Sequence, residues 1–373
     1  MRKTEQIAIS SLFLAVLSMP WLASLCGWNA QSIENRALGS FPSLSFESVM
    51  NLKFFDGLTS YLTDHFPFRA KAVNLTATIR HDLFADKFGQ ARTNKLASVI
   101  FGRSGWMFIF YDIQTFSDEK IAATVGNLKK FESIAQQRGI DFRIALAPNK
   151  AAVYPEHFNK DLNHLLEVPR KNSDTLDKML GDAGIRGYVN LRRVIQERKQ
   201  DWTGLPLYYR TDDHWSEWGL AVAGEALVDS IQPGLWDWGS LKVKLRKQYK
   251  GNLNLMLGLN REETIELIEL NRPGIIVLEA PKNTPFTPAE PTKRFRHGGP
   301  EGSLIKGRTY IIIDSFFDQN INLIAPYFED VTFLLWNVLE GKDFSSLIES
   351  PDRYILTSGE RGIHGVRSAP PWN

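Results

Sequence analysis

Two short segments of the chain carry side chains whose types and spacing suit acyl transfer. Asp212 and His214 stand two residues apart, so in an extended chain their side chains point the same way. Ser315 comes just after an apolar run, Tyr310 to Ile313, that is typical of a strand. A hydroxyl, an imidazole that takes its proton and a carboxylate that orients the imidazole make up a serine-nucleophile site. We therefore predict that Ser315, His214 and Asp212 form one catalytic centre.

Each segment also has an ordinary structural interpretation. Asp314 and Ser315 are residue types that commonly cap a helix, and Asp212 or Asp213 is suited to the start of the following helix. A metal site is the weaker alternative, because we find no third ligand at a recognisable spacing from the Asp–His pair. We expect neither a metal nor another cofactor.

A further candidate group follows a predicted buried strand over residues 142–147. Pro148-Asn149-Lys150 stands at the end of this strand. In parallel sheets, functional groups collect at the C-terminal ends of the strands. The amide of Asn149 is suited to an oxyanion hole, and the ammonium of Lys150 is suited to an anionic polymer. The same tripeptide is equally typical of a plain turn.

Composition and charge limit the classes of partner. The chain has 373 residues, of which 43% are hydrophobic and 23% charged, enough for one large domain or two modest ones. Its 44 basic and 42 acidic residues leave a net charge of only +2. We find no dense basic block and no nucleic-acid-reading motif, so we expect no nucleic-acid partner. Cys26 is the only cysteine, which excludes an intramolecular disulfide.

The N-terminal residues predict a membrane anchor. Arg2 and Lys3 precede an uncharged, mostly apolar run over residues 7–28, which is long enough to span a bilayer. A cleaved secretory signal is the alternative, although its apolar region is normally shorter. Basic residues before such a run keep the N-terminus in the cytoplasm. We therefore expect a single-pass protein of the inner membrane whose catalytic domain lies in the periplasm.

The remaining chain divides where the residue pattern changes. We expect the cytoplasmic tip and anchor over residues 1–30, a juxtamembrane helical lead-in over 31–95 and the catalytic domain over 96–373. Within that domain, residues 234–307 break the rhythm with Gly, Pro, Lys and Arg and predict an irregular insertion. The alternating segments elsewhere favour an α/β sandwich with a mostly parallel central sheet. Predicted strands cover residues 99–101, 106–110, 142–147, 187–191, 310–313, 331–336 and 353–357, and predicted helices cover residues 46–88, 117–138, 173–183 and 215–231.

Seven motifs, taken in order, resemble the AlgJ/AlgX-type polysaccharide O-acetyltransferases and the related DHHW proteins, which carry an SGNH-hydrolase-like domain. Any one of them is a weak signal, but seven in the right order are specific. They cover nearly all of the chain after the predicted anchor. The motifs are Glu34-Asn35-Arg36 with Phe41-Pro42; Asp64-His65-Phe66-Pro67-Phe68-Arg69; Gly102 with Gly105-Trp106-Met107-Phe108; Pro148-Asn149-Lys150 with Tyr154-Pro155-Glu156; Tyr209-Arg210-Thr211-Asp212-Asp213-His214-Trp215; Asp314-Ser315-Phe316; and Glu360-Arg361.

The resemblance implies an SGNH-hydrolase-like sandwich and a role for each site residue. Ser315 looks like the nucleophile, His214 like the general base and acid, and Asp212 like the orienting carboxylate. The order Asp, His, Ser is reversed relative to ordinary SGNH esterases, and these acetyltransferases share the reversal. The family usually has Gly-Asp-Ser, whereas Ile313 stands in place of the glycine here. Four further residues become candidates for binding the oxyanion or the substrate: Asn149, Lys150, Arg210 and Trp215.

The resemblance also implies an activity and partners. It points to a periplasmic O-acetyltransferase that moves an acetyl group, through an acyl-serine, onto hydroxyls of an exopolysaccharide. A multi-spanning membrane protein of the MBOAT type would deliver the acetyl group. Two alternatives stay open at this point. One is a polysaccharide deacetylase or esterase with the same triad, and the other is a non-catalytic scaffold of a polysaccharide-secretion complex.

Overall fold

The computed structural model describes residues 39–66, 99–282, 284–287, 290–335 and 351–365, together with isolated positions between residues 7 and 79. Contacts divide the chain into two units. The first unit contains residues 1–91 and 252–261, and the second contains residues 92–251 and 262–373.

The helices and strands of the described residues are numbered here along the chain. The helices are α1 (Phe46–Met50), α2 (Lys53–Asp64), α3 (Asp118–Gln137), α4 (Lys150–Val153), α5 (Glu167–Asp182), α6 (Leu191–Gln200), α7 (Glu217–Ile231) and α8 (Asn252–Met256). The strands are β1 (Val99–Phe101), β2 (Met107–Ile109), β3 (Asp141–Ala147), β4 (Tyr188–Val189), β5 (Leu241–Tyr249), β6 (Glu263–Leu270), β7 (Ile276–Glu279), β8 (Thr292–Gly298), β9 (Ile305–Ile313), β10 (Phe328–Leu335) and β11 (Arg353–Gly359).

The first unit is helical where it is described. Ser45 and Ser48 form a reciprocal capping box at the start of α1, in which each side chain accepts from the backbone N–H of the other. At the end of α2, the buried Asp64 carboxylate accepts a hydrogen bond of 2.8 Å from the Gly39 N–H. The helix predicted over residues 46–88 is therefore present as two helices, α1 and α2, and much of its remainder lies outside the described residues. A lead-in domain over residues 31–95 stays a prediction.

No helix in the described part of the chain is both long enough and apolar enough to cross a membrane. The predicted span over residues 7–28 lies mostly outside the described residues. The membrane anchor therefore stays a prediction.

The second unit is built on a seven-stranded sheet in the order β4-β3-β11-β9-β10-β8-β7. Five neighbouring strands, β4, β3, β11, β9 and β10, pair in parallel. β8 pairs antiparallel with β10, and β7 pairs antiparallel with β8 at the edge of the sheet. The predicted α/β architecture is confirmed, and its sheet is a mixed one with a parallel centre. Separately, β1 and β2 pair antiparallel around a tight turn, as predicted.

Alternate residues of the central strands face two separate cores. Tyr310 and Ile312 of β9 belong to a buried cluster with α3 and α5. Ile311 and Ile313 belong to a second cluster with α6 and α7 on the other face. Helices thus cover both faces, which is why the second half of β9, from Tyr310 to Ile313, is apolar without alternation. Ile313, the residue before Asp314, is fully buried and anchors the end of β9 in the core.

Several element boundaries differ from the sequence prediction for identifiable reasons. The Asn190 side chain accepts from the Arg193 N–H at 2.9 Å and caps α6, which shortens the strand predicted at 187–191 to Tyr188–Val189. The helix predicted at 173–183 begins earlier, at Glu167. The helix predicted to start at Trp215 begins two residues later, because Ser216 supplies its N-cap oxygen.

The stretch 234–307 contains regular strands. β5 and β6 form a two-stranded antiparallel sheet, and β7 and β8 extend the main sheet. The Lys- and Arg-rich composition that suggests irregularity reflects the exposure of β5, where every residue from 242 to 248 is exposed. Whether this stretch is an insertion stays a prediction.

Candidate active site

The three predicted catalytic residues form one continuous chain of hydrogen bonds. His214 Nδ1 lies 2.8 Å from Asp212 Oδ1, and His214 Nε2 lies 2.9 Å from Ser315 Oγ. The carboxylate favours the tautomer with hydrogen on Nδ1, which leaves Nε2 to accept the hydroxyl proton. Asp212 and His214 are 2% and 8% exposed, whereas Ser315 is exposed. The Ser315 side chain is thus accessible from solvent, while the imidazole beside it is shielded.

Asp314 fixes the turn that presents Ser315. Its Oδ1 accepts from the Phe316 N–H at 3.0 Å, and its Oδ2 accepts from the Gly359 N–H at the end of β11. Its carbonyl also accepts from the Asp318 N–H at 3.0 Å. Burial raises the pKa of Asp314, against these hydrogen bonds, which favour the charged form. Asp314 therefore stabilises the turn without capping the following 3-10 segment, whose N-cap position is Phe316, and the Ser315 hydroxyl is directed to His214.

The segment that carries Asp212 and His214 is held by the residues around β5 and β6. Glu263 accepts from the Arg210 N–H and the Thr211 N–H, both at 2.8 Å, and from the Thr211 hydroxyl at 2.6 Å. Gly251 lies so close that a Cβ there would stand 2.2 Å from the Thr211 carbonyl oxygen, so only glycine fits. The N-cap of α7 is Ser216, which leaves the carboxylates of Asp212 and Asp213 to other partners.

Tyr249 supplies the second partner of Asp212. Its hydroxyl donates a hydrogen bond of 2.6 Å to Asp212 Oδ2, while Asp212 Oδ1 accepts from His214. Both carboxylate oxygens are therefore fixed, which sets the plane of the carboxylate and the orientation of the imidazole. No sequence motif indicates Tyr249. Tyr249 lies opposite Glu263 in the antiparallel pair of β5 and β6, and this pairing brings Tyr249 to the site.

A buried network of charges lies behind His214. Asp213 Oδ1 lies 3.4 Å from His214 Nδ1, and Arg361 donates hydrogen bonds to Asp213 and, at 3.1 Å, to Asp112. Burial alone would lower the pKa of His214, but the hydrogen bond that it donates to Asp212 and the charges of both aspartates raise that pKa above its ordinary value. Burial raises the pKa of Asp112 to about 6, although the Arg361 charge opposes the shift. Arg361 thus binds two buried carboxylates at the back of the site.

Asp212, Asp213 and His214 also have possible ligand atoms that all lie within 4.8 Å of one another. Each of these groups already has protein partners. Tyr249 bonds Asp212, and the Arg361 guanidinium places a positive charge on Asp213. This arrangement suits the proton chemistry of a histidine better than metal ligation, because the guanidinium neutralises a carboxylate that a cation would need.

The structure gives Lys150 a position different from the expected solvent-facing one. Its side chain is completely buried, and Nζ donates to the carbonyl oxygens of Met107, Arg210 and Asp212 at 2.6, 2.9 and 2.8 Å. Burial lowers the pKa of Lys150 to about 8, although nearby carboxylates oppose the shift. Lys150 therefore holds the backbone of the Asp–His segment in place and offers no surface to a polymer.

Trp215 is likewise buried and connects the two halves of the site. Its indole Nε1 donates to the Phe316 carbonyl at 2.7 Å, and its ring packs edge-on against Phe316. Asn149 and Arg210 are accessible, since Asn149 is half-buried and Arg210 exposed. The Asn149 side chain forms no capping bond to α4, which begins at the next residue. Of the four accessory candidates, these two are the ones that a substrate can reach.

Comparison with known proteins identifies relatives of this fold. Residues 99–271 match the family described as "SGNH hydrolase-like domain, acetyltransferase AlgX". The chain is 24% identical to a probable alginate O-acetylase AlgJ of Azotobacter vinelandii, over 62% of this chain and 54% of that protein. It is 23% identical to the corresponding protein of Pseudomonas aeruginosa, over 57% of this chain and 49% of that protein. The chain spans about half the length of the curated relatives it matches.

Solved structures give the same result for the fold. PatB1 of Bacillus cereus superposes with a TM-score of 0.51 at 14% identity, covering 73% of this chain and 97% of that one. A DHHW family protein of Eubacterium siraeum superposes with a TM-score of 0.52 at 12% identity, covering 74% and 94%. At such identities the likeness is one of fold. The resemblance drawn from the seven motifs is confirmed, and the domain is an SGNH-hydrolase-like α/β fold with a mixed sheet.

Proposed function

We propose that this chain, whose residues 99–271 match the AlgX-type SGNH hydrolase-like family, is an O-acetyltransferase that acts on an exopolysaccharide. The observation that carries the proposal is the hydrogen-bonded chain from Asp212 through His214 to Ser315, at 2.8 and 2.9 Å. The relatives named as probable alginate O-acetylases support transfer of an acetyl group to a polysaccharide.

The first half-reaction loads the serine. His214 Nε2 takes the proton from Ser315 Oγ as that oxygen attacks the carbonyl carbon of an acetyl donor. The carbonyl oxygen becomes an oxyanion, and its collapse breaks the bond to the donor's leaving oxygen. The leaving oxygen takes the proton from His214, and the acetyl group remains on Ser315 as an ester.

The second half-reaction reverses these roles with a sugar hydroxyl. The hydroxyl gives its proton to His214 Nε2 and attacks the acetyl-serine carbonyl. Collapse of the intermediate breaks the bond to Ser315 Oγ, which regains its proton from His214. Transfer outcompetes hydrolysis when the sugar hydroxyl is positioned at the acyl-serine and water is kept from it.

An oxyanion hole is required in both half-reactions. The Phe316 N–H is bonded to Asp314, so it is not available to the oxyanion in this arrangement. We assign the side-chain amide of Asn149 as one donor, because Asn149 follows β3 at the same edge of the sheet at which Ser315 follows β9. Arg210, exposed beside the Asp–His pair, is assigned to substrate binding.

The proposal also covers the location of the enzyme and the source of its acetyl groups. The apolar run over residues 7–28 supports a single-pass anchor in the inner membrane, with the catalytic domain in the periplasm. That compartment has no obvious supply of acetyl-CoA. An MBOAT-type membrane protein would therefore deliver the acetyl group to Ser315.

A transfer assay separates the proposal from its alternatives. The full-length protein in detergent is given p-nitrophenyl acetate as donor and oligosaccharides as acceptors, and acetylated sugar is measured by mass spectrometry. We expect acetylated sugar with the natural protein and with the control Ser303→Ala, and none with Ser315→Ala. Release of acetate without acetylated sugar would indicate an esterase. Unchanged acetylation of the cell's polymer in a Ser315→Ala strain would indicate a scaffold.

A further inference from the structure

A cleft of about 430 Å3 opens beside the turn that carries the nucleophile. One wall is formed by residues 244–245 of β5 and 267–270 of β6, and the other by residues of the 319–323 segment. Glu217 of α7 contributes a side chain between them. None of the seven sequence motifs contributes a residue to the lining of this cleft.

The cleft borders the segments that carry the two catalytic groups. Gln319, which lines it, donates a hydrogen bond of 3.0 Å from its side-chain amide to the carbonyl of Ser315. Glu217, at the start of α7, follows His214 by three residues. Hydrogen bonds also tie the two walls together, since the Asn320 amide donates to the Ile268 carbonyl at 3.4 Å. Ser315 and His214 are not among the residues that line the cleft, and Gln319 is the lining residue that contacts the backbone of Ser315.

The lining is chemically suited to a sugar. Three carboxamide side chains stand on one wall, and two of them, Gln319 and Asn322, are exposed. A carboxamide both donates and accepts hydrogen bonds, as a sugar hydroxyl does. On the opposite wall Leu245 is 49% exposed and offers an aliphatic surface to the C–H face of a sugar ring. A few polar groups set against apolar surface are typical of a specific ligand site.

The charges of the cleft do not favour a polyanion. Among the described residues that line it, Lys244 is the basic one, and Glu269 lies 3.8 Å from its Nζ. Glu217 adds a second carboxyl group. A polymer with a carboxylate on every sugar needs a matching series of cations, since like charges brought together at an interface oppose binding. This lining provides one cation, and an acidic neighbour offsets it.

We infer that this cleft is the acceptor subsite and that it binds a polysaccharide of neutral sugars in preference to a polyuronate. The inference rests on the proposed function, because a polysaccharide chain held there would extend past Gln319 to bring a neighbouring sugar hydroxyl to His214 Nε2 and the acyl-serine. It also sets this protein apart from the alginate acetylases to which it is similar, since alginate is a polyuronate.

Equilibrium binding tests this inference without requiring catalysis. The full-length Ser315→Ala protein in detergent is titrated calorimetrically with neutral β-glucan and mannan oligosaccharides and with mannuronate oligosaccharides of the same length. We expect the neutral oligosaccharides to bind more tightly. Asn322→Trp and Leu245→Trp, one on each wall, should each weaken that binding by about tenfold or more, equivalent to about 1.4 kcal/mol.

Asn163→Trp is the matched control, because Asn163 is also an exposed asparagine in a short 3-10 segment but does not line the cleft. It should leave the affinity unchanged. Tighter binding of the uronate, no binding by any neutral oligosaccharide, or full affinity in both cleft variants with normal melting curves would overturn the inference. Neutral-sugar binding in a protein that fails to form an acyl-serine would overturn the proposed function and leave the subsite standing.

Discussion

The raised pKa of His214 has two opposing effects on its action as a base. The Asp212 hydrogen bond and the Asp213 charge outweigh the effect of burial and raise its pKa. A raised pKa makes the neutral imidazole a stronger base toward the Ser315 hydroxyl. It also means that more of the imidazole is protonated, and therefore inactive as a base, at a given pH. Arg361 moderates this effect by pairing with Asp213.

This balance predicts how the pH profile of the reaction depends on Asp213. The rate of acyl-serine formation should rise with pH as His214 loses its proton, with a midpoint above the ordinary histidine value. Asp213→Asn removes a negative charge that favours the protonated form, so the midpoint should move to lower pH. Asp174→Asn, whose side chain is 70% exposed, should leave the profile unchanged. A midpoint that stays in place or moves upward in Asp213→Asn would contradict the role given to Asp213.

Tyr249 provides a second test at the level of single residues. Tyr249→Phe keeps the ring and removes the hydroxyl that donates to Asp212 at 2.6 Å. With one carboxylate oxygen released, we expect ester turnover to fall by about tenfold, the equivalent of about 1.4 kcal/mol of transition-state stabilisation. The pH midpoint should also shift, which a purely structural defect would not produce.

Tyr188→Phe is the matched control for this substitution. Tyr188 also donates its hydroxyl to a carboxylate, that of Asp177. That pair joins β4 to α5, and both elements are separate from the β5–β6 pair that holds the Asp–His segment. The control should keep its turnover and pH midpoint. Equal losses in the two variants would show that the effect of Tyr249 is not specific to the site.

The β5–β6 pair is the element that joins the chemistry to the proposed acceptor. Residues at one end of the pair, Tyr249 and Glu263, hold Asp212 and the segment before it. Residues 244–245 and 267–270 form one wall of the cleft. A glycan in the cleft would therefore contact the same two strands that orient the catalytic carboxylate.

Removal of the Glu263 carboxylate tests whether the β5–β6 pair holds the Asp–His segment in place. Glu263→Ala leaves the Arg210 and Thr211 N–H groups without their carboxylate partner. We expect the free energy of unfolding to fall by about 1–3 kcal/mol and ester turnover to fall with it. Glu262→Ala, its neighbour in an exposed ion pair with Lys250, should cost about 1 kcal/mol or less. Urea unfolding and p-nitrophenyl acetate turnover measure both quantities, and equal effects of the two substitutions would contradict this role of the β5–β6 pair.

At the scale of the molecule, the sequence was sufficient to predict the fold class and the three residues that the structure joins by hydrogen bonds, Asp212, His214 and Ser315. Ser315 follows an unbroken apolar run, Tyr310 to Ile313, and the Asp–x–His spacing is local, so both features can be read from the residue pattern. Helices on both faces follow from runs of this kind, in which consecutive residues are apolar. These are consequences of local periodicity and of the resemblance drawn from seven ordered motifs.

The contacts that hold the Asp–His segment in place could not be predicted from the sequence, because they join residues that are distant in the chain. Tyr249 meets Asp212 across 37 residues, and Glu263 meets Thr211 across 52. Lys150 looked like a surface cation, and only the tertiary structure shows three carbonyl oxygens converging on its ammonium. The type of a residue and its sequence neighbours do not show which distant backbone carbonyl oxygens lack a hydrogen-bond donor.

The predicted anchor has its own test at this scale. Residues 7–28 carry no charge and are long enough to span a bilayer. We expect the full-length protein to sediment with membranes, to resist alkaline carbonate and to be released by detergent. Retention of the N-terminal residues, seen by peptide mass mapping, would distinguish an anchor from a cleaved signal. Release by carbonate would contradict the anchor.

The most direct test of the central claim is the mass of the intact protein after brief exposure to p-nitrophenyl acetate. We expect a species that is heavier by one acetyl group, which peptide mapping locates on Ser315. This species should form far more slowly in His214→Ala. Ser303→Ala should form it normally, and Ser315→Ala should not form it at all. A folded protein that neither acquires the acetyl group nor turns over the ester would contradict the account, as would an adduct that persists in Ser315→Ala.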